Sequence, residues 1–431
     1  MAEGEGRTGL IALPVAVLLL ALLTVWVVVF SREDGGGQAI DDADDLVAAT
    51  STAPSNRPGE LAEVWRAPAV AAAIDGVGAR ATRLWVHEDT VTLVSTAGVT
   101  GYGTVDGERL WVAEAPPGAG RPCAAADTIN SAGTGAVLWT AGTGEEGCSV
   151  LGVLDTATGD LLWSERFGGP VTAEETTVTV GEQTVTVNLD AAGTVGAFHR
   201  FAADTGEELP LPAPPEDSAW DCVSGRETVG VHHAGSRIAV LTRCDDAPEL
   251  SVYHADTGQL EWTHPAADAG FAVTGILAGD PVLLLQEHEV VAYSETGDEL
   301  WRLPAVELNP SVSAVAGEAL VTQYSSTSFT GYGLVGGERL WQTELPENTE
   351  LYGVDATGEP VLGHSDSGAG LLRLLRLDPA TGADTPVGTL PLDPRRAADT
   401  RHVAWDANQL YVLAPVERDG TTGLRLRAFE R

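Results

Sequence analysis

The sequence contains no lysine, a single methionine and only four cysteines. All 24 basic residues are therefore arginine, and they face 62 acidic residues for a net charge of −38. A chain this acidic repels phosphate backbones, which excludes general nucleic-acid binding. The cysteines form no C-x-x-C pair, so a zinc site is disfavoured, and no C-x-x-C-H haem attachment. No glycine-rich phosphate loop opens a helix. The lysine-free, methionine-poor composition reads as the codon bias of a high-GC bacterium. What is plentiful is glycine, at 50 residues, with 24 prolines and short runs of Val and Thr. That favours turns and strands over helices. Apolar residues make up 44%, enough for a large core, so global disorder is excluded.

Charge is also missing from residues 8–31, and residues 10–30 are almost wholly apolar. As a helix this run is about 30 Å long, enough to cross a bilayer. A cleaved signal peptide would have a shorter apolar region and a small-x-small cleavage site; here the run ends V-V-V-F-S-R. The expectation is an uncleaved signal anchor. It comprises a cytoplasmic tail over 1–8, a transmembrane helix over 9–31, a flexible linker over 32–59 and an extracytoplasmic domain over 60–431. The protein is then a single-pass component of the cell membrane with its N-terminus in the cytoplasm. The linker is rich in Gly, Asp, Ser, Thr and Pro. Its run Asp41-Asp42-Ala43-Asp44-Asp45 lacks the spacing and glycine of an EF-hand loop and reads as a solvated charge run.

One pattern recurs after residue 60. A β-run leads into a turn ending in Gly, and Trp follows four residues after that Gly. The pairs are Gly107/Trp111, Gly159/Trp163, Gly258/Trp262, Gly297/Trp301 and Gly337/Trp341. Two further units keep the turn and lose the indole, with Gly206/Pro210 and Gly382/Pro386. Asp or Thr starts each turn by bonding to the backbone, and Gly takes the left-handed position at its end. An indole repeated once per unit reads as a wedge docking one sheet on the next. Fold maintenance explains these Asp, Gly and Trp residues better than ligand binding.

The ends of the domain each hold half a unit. Trp65 lies in a strand with no turn before it, and the segment G-L-R-L-R-A-F-E-R at the far end resembles the strand that precedes the turn. Each supplies what the other lacks, as the closure of a ring requires. Counting seven marked units and one shared unit gives about 46 residues each, enough for four short strands. The predicted fold is all-β: an eight-bladed β-propeller of four-stranded antiparallel blades, closed by the N-terminal strand and preceded by one transmembrane helix.

The blocks GVLDTATGDLLWSERF and VVAYSETGDELWRLPA resemble the repeat of the PQQ-like β-propellers. This superfamily includes quinoprotein alcohol dehydrogenases and BamB-type outer-membrane assembly lipoproteins; the form here resembles an actinobacterial, membrane-anchored type. The resemblance covers residues 60–431. It implies docking roles for Trp65, Trp111, Trp163, Trp262, Trp301 and Trp341. In the dehydrogenase branch it implies PQQ under a vicinal disulfide, with Ca²⁺ held by carboxylate and Asn ligands. No two cysteines are adjacent here, and among the many carboxylates nothing singles out a Ca²⁺ ligand set, so neither PQQ nor Ca²⁺ is predicted. In the BamB branch it implies outer-membrane assembly by a lipoprotein, but no Cys precedes Cys123.

Cys123 and Cys222 each lie 40 residues before a repeat Trp, and Cys148 and Cys244 lie at corresponding later places in the same units. The repeat thus selects the pairs 123–148 and 222–244, which places the domain in an oxidising compartment. Other chemistry is quiet. Gly363-His364-Ser365-Asp366-Ser367 misses the last Gly of a nucleophile elbow. His232 and His233 are neighbours on a predicted strand and point to opposite faces. The segments TGYGTVDGERLW (100–111) and TGYGLVGGERLW (330–341) agree at ten of twelve positions. They read either as residual duplication or as exposed turns presenting Tyr102 and Tyr332 as paired contacts. The functional expectation is a non-catalytic, membrane-anchored scaffold that binds a protein or envelope component. The alternatives are a PQQ-dependent dehydrogenase and a ligand-sensing ectodomain working with a membrane partner.

Overall fold

The computed structural model describes residues 59–431, apart from 73–79, 143–146, 172–175, 190–197, 211–225, 245–246, 266–272, 287–288, 305–307, 309–311, 356, 367–369, 392–401 and 419–420. The chain divides into units 1–38 and 39–431, and every described residue belongs to the second. These residues form eight antiparallel sheets. Blade 1 spans 83–112, blade 2 spans 122–171, blade 3 spans 177–202 and blade 4 spans 226–265. Blade 5 spans 273–304, blade 6 spans 313–344 and blade 7 spans 349–391; blade 8 combines 402–430 with Glu63–Arg66.

In blades 1 to 7 the strands are joined in sequence order, because each hairpin turn is short and a meander needs no crossover. Second and third strands are the most buried; Thr90–Ser95 and Ala319–Gln323 are buried at every position. Blade 3 retains three strands among the described residues. Its fourth is reduced to a bridge between Phe201 and Glu208, just before Pro210, which has no N–H to extend the ladder.

Apolar clusters join each blade to the next. Blades 1, 2 and 3 share one that includes Trp85, Trp139 and Phe201. Phe198 of blade 3 packs with Val231 and Ile238 of blade 4. The sequence continues from 4 to 5 around Trp262 and Tyr293, from 5 to 6 around Trp301 and Leu320, and from 6 to 7 around Trp341 and Leu362. Leu372 and Phe429 join 7 to 8, and Trp65 and Tyr102 join 8 to 1. The clusters return to blade 1, so this is an eight-bladed β-propeller. Its closure follows the half-units at the two ends: Glu63 pairs with Phe429, Trp65 with Ala428 and Arg66 with Arg427.

The membrane part of the sequence reading is corrected. The tail 1–8, the helix expected over 9–31 and the linker up to residue 58 lie outside the described residues. Among the described residues no helix is long and apolar enough to cross a membrane. The single-pass signal anchor is therefore withdrawn, and with it the cell-membrane localisation, the extracytoplasmic topology and the membrane as partner. The physical reason is that an apolar run of sufficient length is a necessary condition for spanning, not a sufficient one.

Candidate functional site

The repeat residues meet at the seams between blades. Trp65, from blade 8, lies over Gly107 in the turn of blade 1. Gly107 has φ +70°, and a Cβ there would sit 2.4 Å from the indole. Left-handed backbone and close approach both demand glycine. The indole Nε1 donates to the Thr104 carbonyl at 2.7 Å. Trp111 lies over Gly159 and donates to Ala157 at 3.1 Å; Trp163 lies over Gly206 and donates to Ala203 at 2.8 Å. Trp301 lies over Gly337 and donates to Leu334, and Trp341 lies over Gly382 and donates to Pro379, both at 2.7 Å.

Trp262 lies over Gly297, but its buried Nε1 has no acceptor. The turn it meets is one residue shorter. Gly107 donates its amide four residues back, to Gly103, and Gly159 does so to Asp155; Gly297 reaches only three back, to Ser294. In four of the longer turns the carbonyl three residues before Gly is left to take an indole, as at Thr104, Ala203, Leu334 and Pro379, and at Gly159 the carbonyl of Ala157, two residues before, takes it. In the short turn the carbonyl three residues before Gly closes the turn itself.

Two blades carry proline in place of the docking indole, and both carry arginine six residues before the turn glycine, as Arg200 and Arg376. The indole blades have glycine or valine there, as Gly101, Val153, Val252, Val291 and Gly331. At Gly101 and Gly331 a Cβ would lie 2.1 and 2.3 Å from Trp111 and Trp341, so the indole and a long side chain compete for one space. Buried Arg200 takes the role of the missing indole at the seam of blades 3 and 4. Its Nη1 lies beside Gly258, and it donates to the carbonyls of Ala255 at 2.8 Å and Asp256 at 2.7 Å. Burial, opposed by Asp256, pulls its pKa below the usual guanidinium value. The Asp256 carboxylate accepts from the Gln183 amide at 2.9 Å and the Thr184 hydroxyl at 3.0 Å. Beside its apolar cluster of Phe198, Val231 and Ile238, this seam thus carries a buried polar network.

Arg376 turns instead to the buried Asp355 carboxylate at 2.9 Å, which Arg431 of blade 8 also meets at 2.5 Å. Burial pushes the Asp355 carboxyl up. Hydrogen bonds from the Thr357 hydroxyl and amide and from the Glu359 amide, with Arg376 beside it, more than offset this and hold it below the usual range. The pair Arg200 and Arg376 was missed in the sequence. Aligning the units on the turn glycine and reading back six residues would have found it.

The remaining candidates separate. Cys123 and Cys148 are joined by a disulfide inside blade 2, with both side chains buried. Cys222 lies outside the described residues, and Cys244 ends the strand Arg237–Cys244. His232 and His233 do not chelate together. His233 Nε2 donates to the Gly235 carbonyl at 2.9 Å, and its Nδ1 accepts from the Thr186 hydroxyl at 2.6 Å. Burial pushes its pKa down to about 4, so it is neutral at ordinary pH. Ser365 sits in a strand paired with Leu372, its amide bonded to the Asn348 carbonyl, which is no nucleophile elbow. Tyr102 and Tyr332 are not exposed contacts: both are buried in the seams. The glycines beside them belong to strands, and the turns begin one residue later.

The residues present do not fit PQQ. No cysteines are adjacent in sequence, and among the described residues no group of three or more His, Cys, Asp or Glu could hold a metal ion. The surface also offers apolar side chains among its acidic ones. Val105 and Val335 stand exposed at turn tips, and Leu110, Val112, Leu162, Leu260 and Leu340 on outer strands.

The model of the family described as outer membrane protein assembly factor BamB matches residues 148–370, more than half of the chain. No curated protein sequence matches. Among solved structures, BamB from Moraxella catarrhalis is similar at 12% identity, covering 85% of this chain and 99% of that one with a TM-score of 0.49. The computationally designed Ika8 protein is similar at 14% identity, over 84% and 98% of the two chains, with a TM-score of 0.49. A europium-containing methanol dehydrogenase follows at 13% identity, over 89% and 95%, with a TM-score of 0.47.

Proposed function

Because the chain belongs to the outer membrane protein assembly factor BamB family, we propose that its propeller is a non-catalytic scaffold that binds another protein during assembly. One observation carries this reading. The repeated Gly, Trp and Arg residues are consumed by the seams, while exposed apolar side chains stand on outer strands and turn tips. A rigid ring whose surface is rich in loops suits recognition. Exposed apolar patches rimmed by polar residues mark interaction sites. The repeat offset also supports a second bond, Cys222 to Cys244, which peptide mapping without reductant would detect.

Chemical crosslinking in the producing cells, followed by affinity purification and mass spectrometry, tests the scaffold. The expected result is a defined protein partner in fixed ratio to the propeller. Dye reduction by the purified protein, given PQQ, Ca²⁺ and an alcohol, would replace this reading with a quinoprotein dehydrogenase. The lineage part of the reading, an actinobacterial source, rests on the lysine-free composition, and codon usage in the gene tests it.

A further inference from the structure

We propose that blades 1 and 6 present two copies of one docking surface, and that the partner is a protein with two equivalent apolar faces, each rimmed by basic residues. The inference deepens the scaffold reading and rests on it. The near-identical segments 100–111 and 330–341 build the same hairpin. Gly103 and Gly333 donate to the carbonyls of Glu108 and Glu338 at 2.8 and 2.9 Å. Gly107 and Gly337 donate back to Gly103 and Gly333 at 3.0 and 2.9 Å. Each hairpin is tied to the neighbouring turn of its own blade in the same way, Thr104 to Asp89 and Leu334 to Glu318, at 2.9 and 3.0 Å.

The shared residues face solvent as a set. Val105 is 74% exposed and Val335 72%, the highest among the exposed large apolar side chains. Leu110 and Leu340 stand exposed on the adjoining outer strands. At the position of Val105 the other turns carry Ala157, Asp204, Asp256, Glu295 and Ala380. A branched apolar side chain at a turn tip gains nothing in the seam, because the indole meets the glycine two residues later. Its exposure therefore serves no packing need.

Charge identifies the partner's rim. Exposed Asp106 and Glu108 lie in the turn of Val105, with exposed Glu88 and Asp89 in the turn bonded to it; exposed Glu338 lies in the turn of Val335, with exposed Glu318 in the turn bonded to it. One arginine stands at each surface, Arg109 and Arg339, so both remain net acidic. A like-charged second copy of this chain, at −38, is disfavoured; a basic rim is complementary. Two equivalent sites in one rigid ring fit a partner that is itself a symmetric dimer or carries an internal repeat. Engaging both at once makes the second contact intramolecular, which raises avidity by about 10²–10⁴-fold.

The test places a photo-crosslinking residue at position 105 or 335 in the full chain in its producing cells, with positions 157 and 380 as controls. The expected result is one identified protein joined at both 105 and 335, through peptides containing Arg or Lys, and absent from the controls. Val105→Asp should then cut the adduct at 335 and weaken retention of the purified partner by about 100-fold. Val335→Asp should do the same to the adduct at 105. Both side chains are exposed, so unchanged melting of the variants confirms that folding is intact. Different proteins at the two positions, or equal adducts at the controls, overturn the proposal and leave the scaffold reading standing. Absence of any protein adduct, together with no partner from the general crosslinking experiment, brings down both.

Discussion

Removing the closing strand should open the ring, and the structure sets the size of the effect. Trp65 is buried, lies tilted against Tyr411 at 5.9 Å between ring centroids, and donates to the Thr104 carbonyl. Truncating a buried Trp to Ala costs about 3–5 kcal/mol. At about 2–4 °C per kcal/mol for a large domain, Trp65→Ala should lower the melting temperature by roughly 10 °C. Deleting residues 60–69 removes more. It takes the main-chain bonds from Glu430 to Ala62 and from Ala67 to Leu426, at 2.8 and 2.9 Å. It also takes Glu63, which pairs with Arg427 at 2.5 Å and with Arg66 at 2.7 Å, and leaves Arg427 without its carboxylate. The strand Thr421–Glu430 then becomes an open edge, a template for aggregation. Set against a total stability of about 5–15 kcal/mol, this loss should leave a partly unfolded, associating protein. Urea titration by circular dichroism and size-exclusion chromatography measure both effects. A deletion protein that stays monomeric and melts with the full chain would refute closure by the N-terminal strand. So would a Trp65→Ala cost no larger than the ~0.5 kcal/mol of an ordinary surface substitution.

Inserting one residue between Glu295 and Thr296 should lengthen the short turn, free a carbonyl for the Trp262 indole and raise the urea midpoint by an amount equivalent to about 1 kcal/mol; an unchanged midpoint would mean the turn length does not govern the orphaned Nε1. Arg200→Val alone should destabilise by leaving the Ala255 and Asp256 carbonyls without a donor, and Pro210→Trp alone should clash with Arg200. The double variant should recover most of the loss, and simple additivity in that cycle would contradict the shared-space argument. His233 adds an acid dependence. The unfolded chain takes up a proton near pH 6.5 that the folded chain refuses until about 4. Stability should therefore fall as pH drops across that window, by at most about 1.4 kcal/mol per unit, and be flat in this respect above it. His233→Gln should remove the slope between pH 6.5 and 4, and its persistence in the variant would assign it elsewhere.

The blade count and the closure were legible because both rest on spacing. A turn glycine and an indole four residues apart repeat in register, and two half-units at the ends require each other. What spacing could not show is which residues compete for one volume. Arg200 and Arg376 lie on a different strand from the prolines they accompany, so the substitution is visible only across the hairpin. Tyr102 and Tyr332 misled for a related reason. The glycines flanking them signal a turn in isolation, but Gly101 and Gly331 are small because Trp111 and Trp341 cross their strands. The apolar run over 9–31 misled because length and hydrophobicity state what a segment can do in a bilayer, not where it resides. Function was the least legible, since the residues that repeat most strongly are those the seams consume.

The seam between blades 7 and 8 explains why one position in the ring cannot have an indole. Each docking Trp lies on the turn that joins the third and fourth strands of the next blade. In blade 8 those strands, Thr421–Glu430 and Glu63–Arg66, come from opposite ends of the folded region, so no such turn is there. An indole at position 386 would have no glycine to cover, and Pro386 stands in its place. The chain just before Glu63 fills the seam instead. Leu61 lies over Gly388, where a Cβ would come within 2.5 Å of its side chain. The Leu61 amide donates to the Thr389 carbonyl at 2.9 Å, and the Thr389 amide donates to the Gly59 carbonyl at 2.8 Å. The closing segment thus grips three blades: Leu61 reaches back to blade 7, Glu63–Arg66 completes blade 8, and Trp65 reaches forward to blade 1. Losses at Leu61 and Trp65 release opposite sides of one short strand. Once either side is free, the strand's remaining contacts must hold it against the conformational entropy it regains. The two substitutions are therefore coupled through that strand, which places the ring's point of closure among its most cooperative elements.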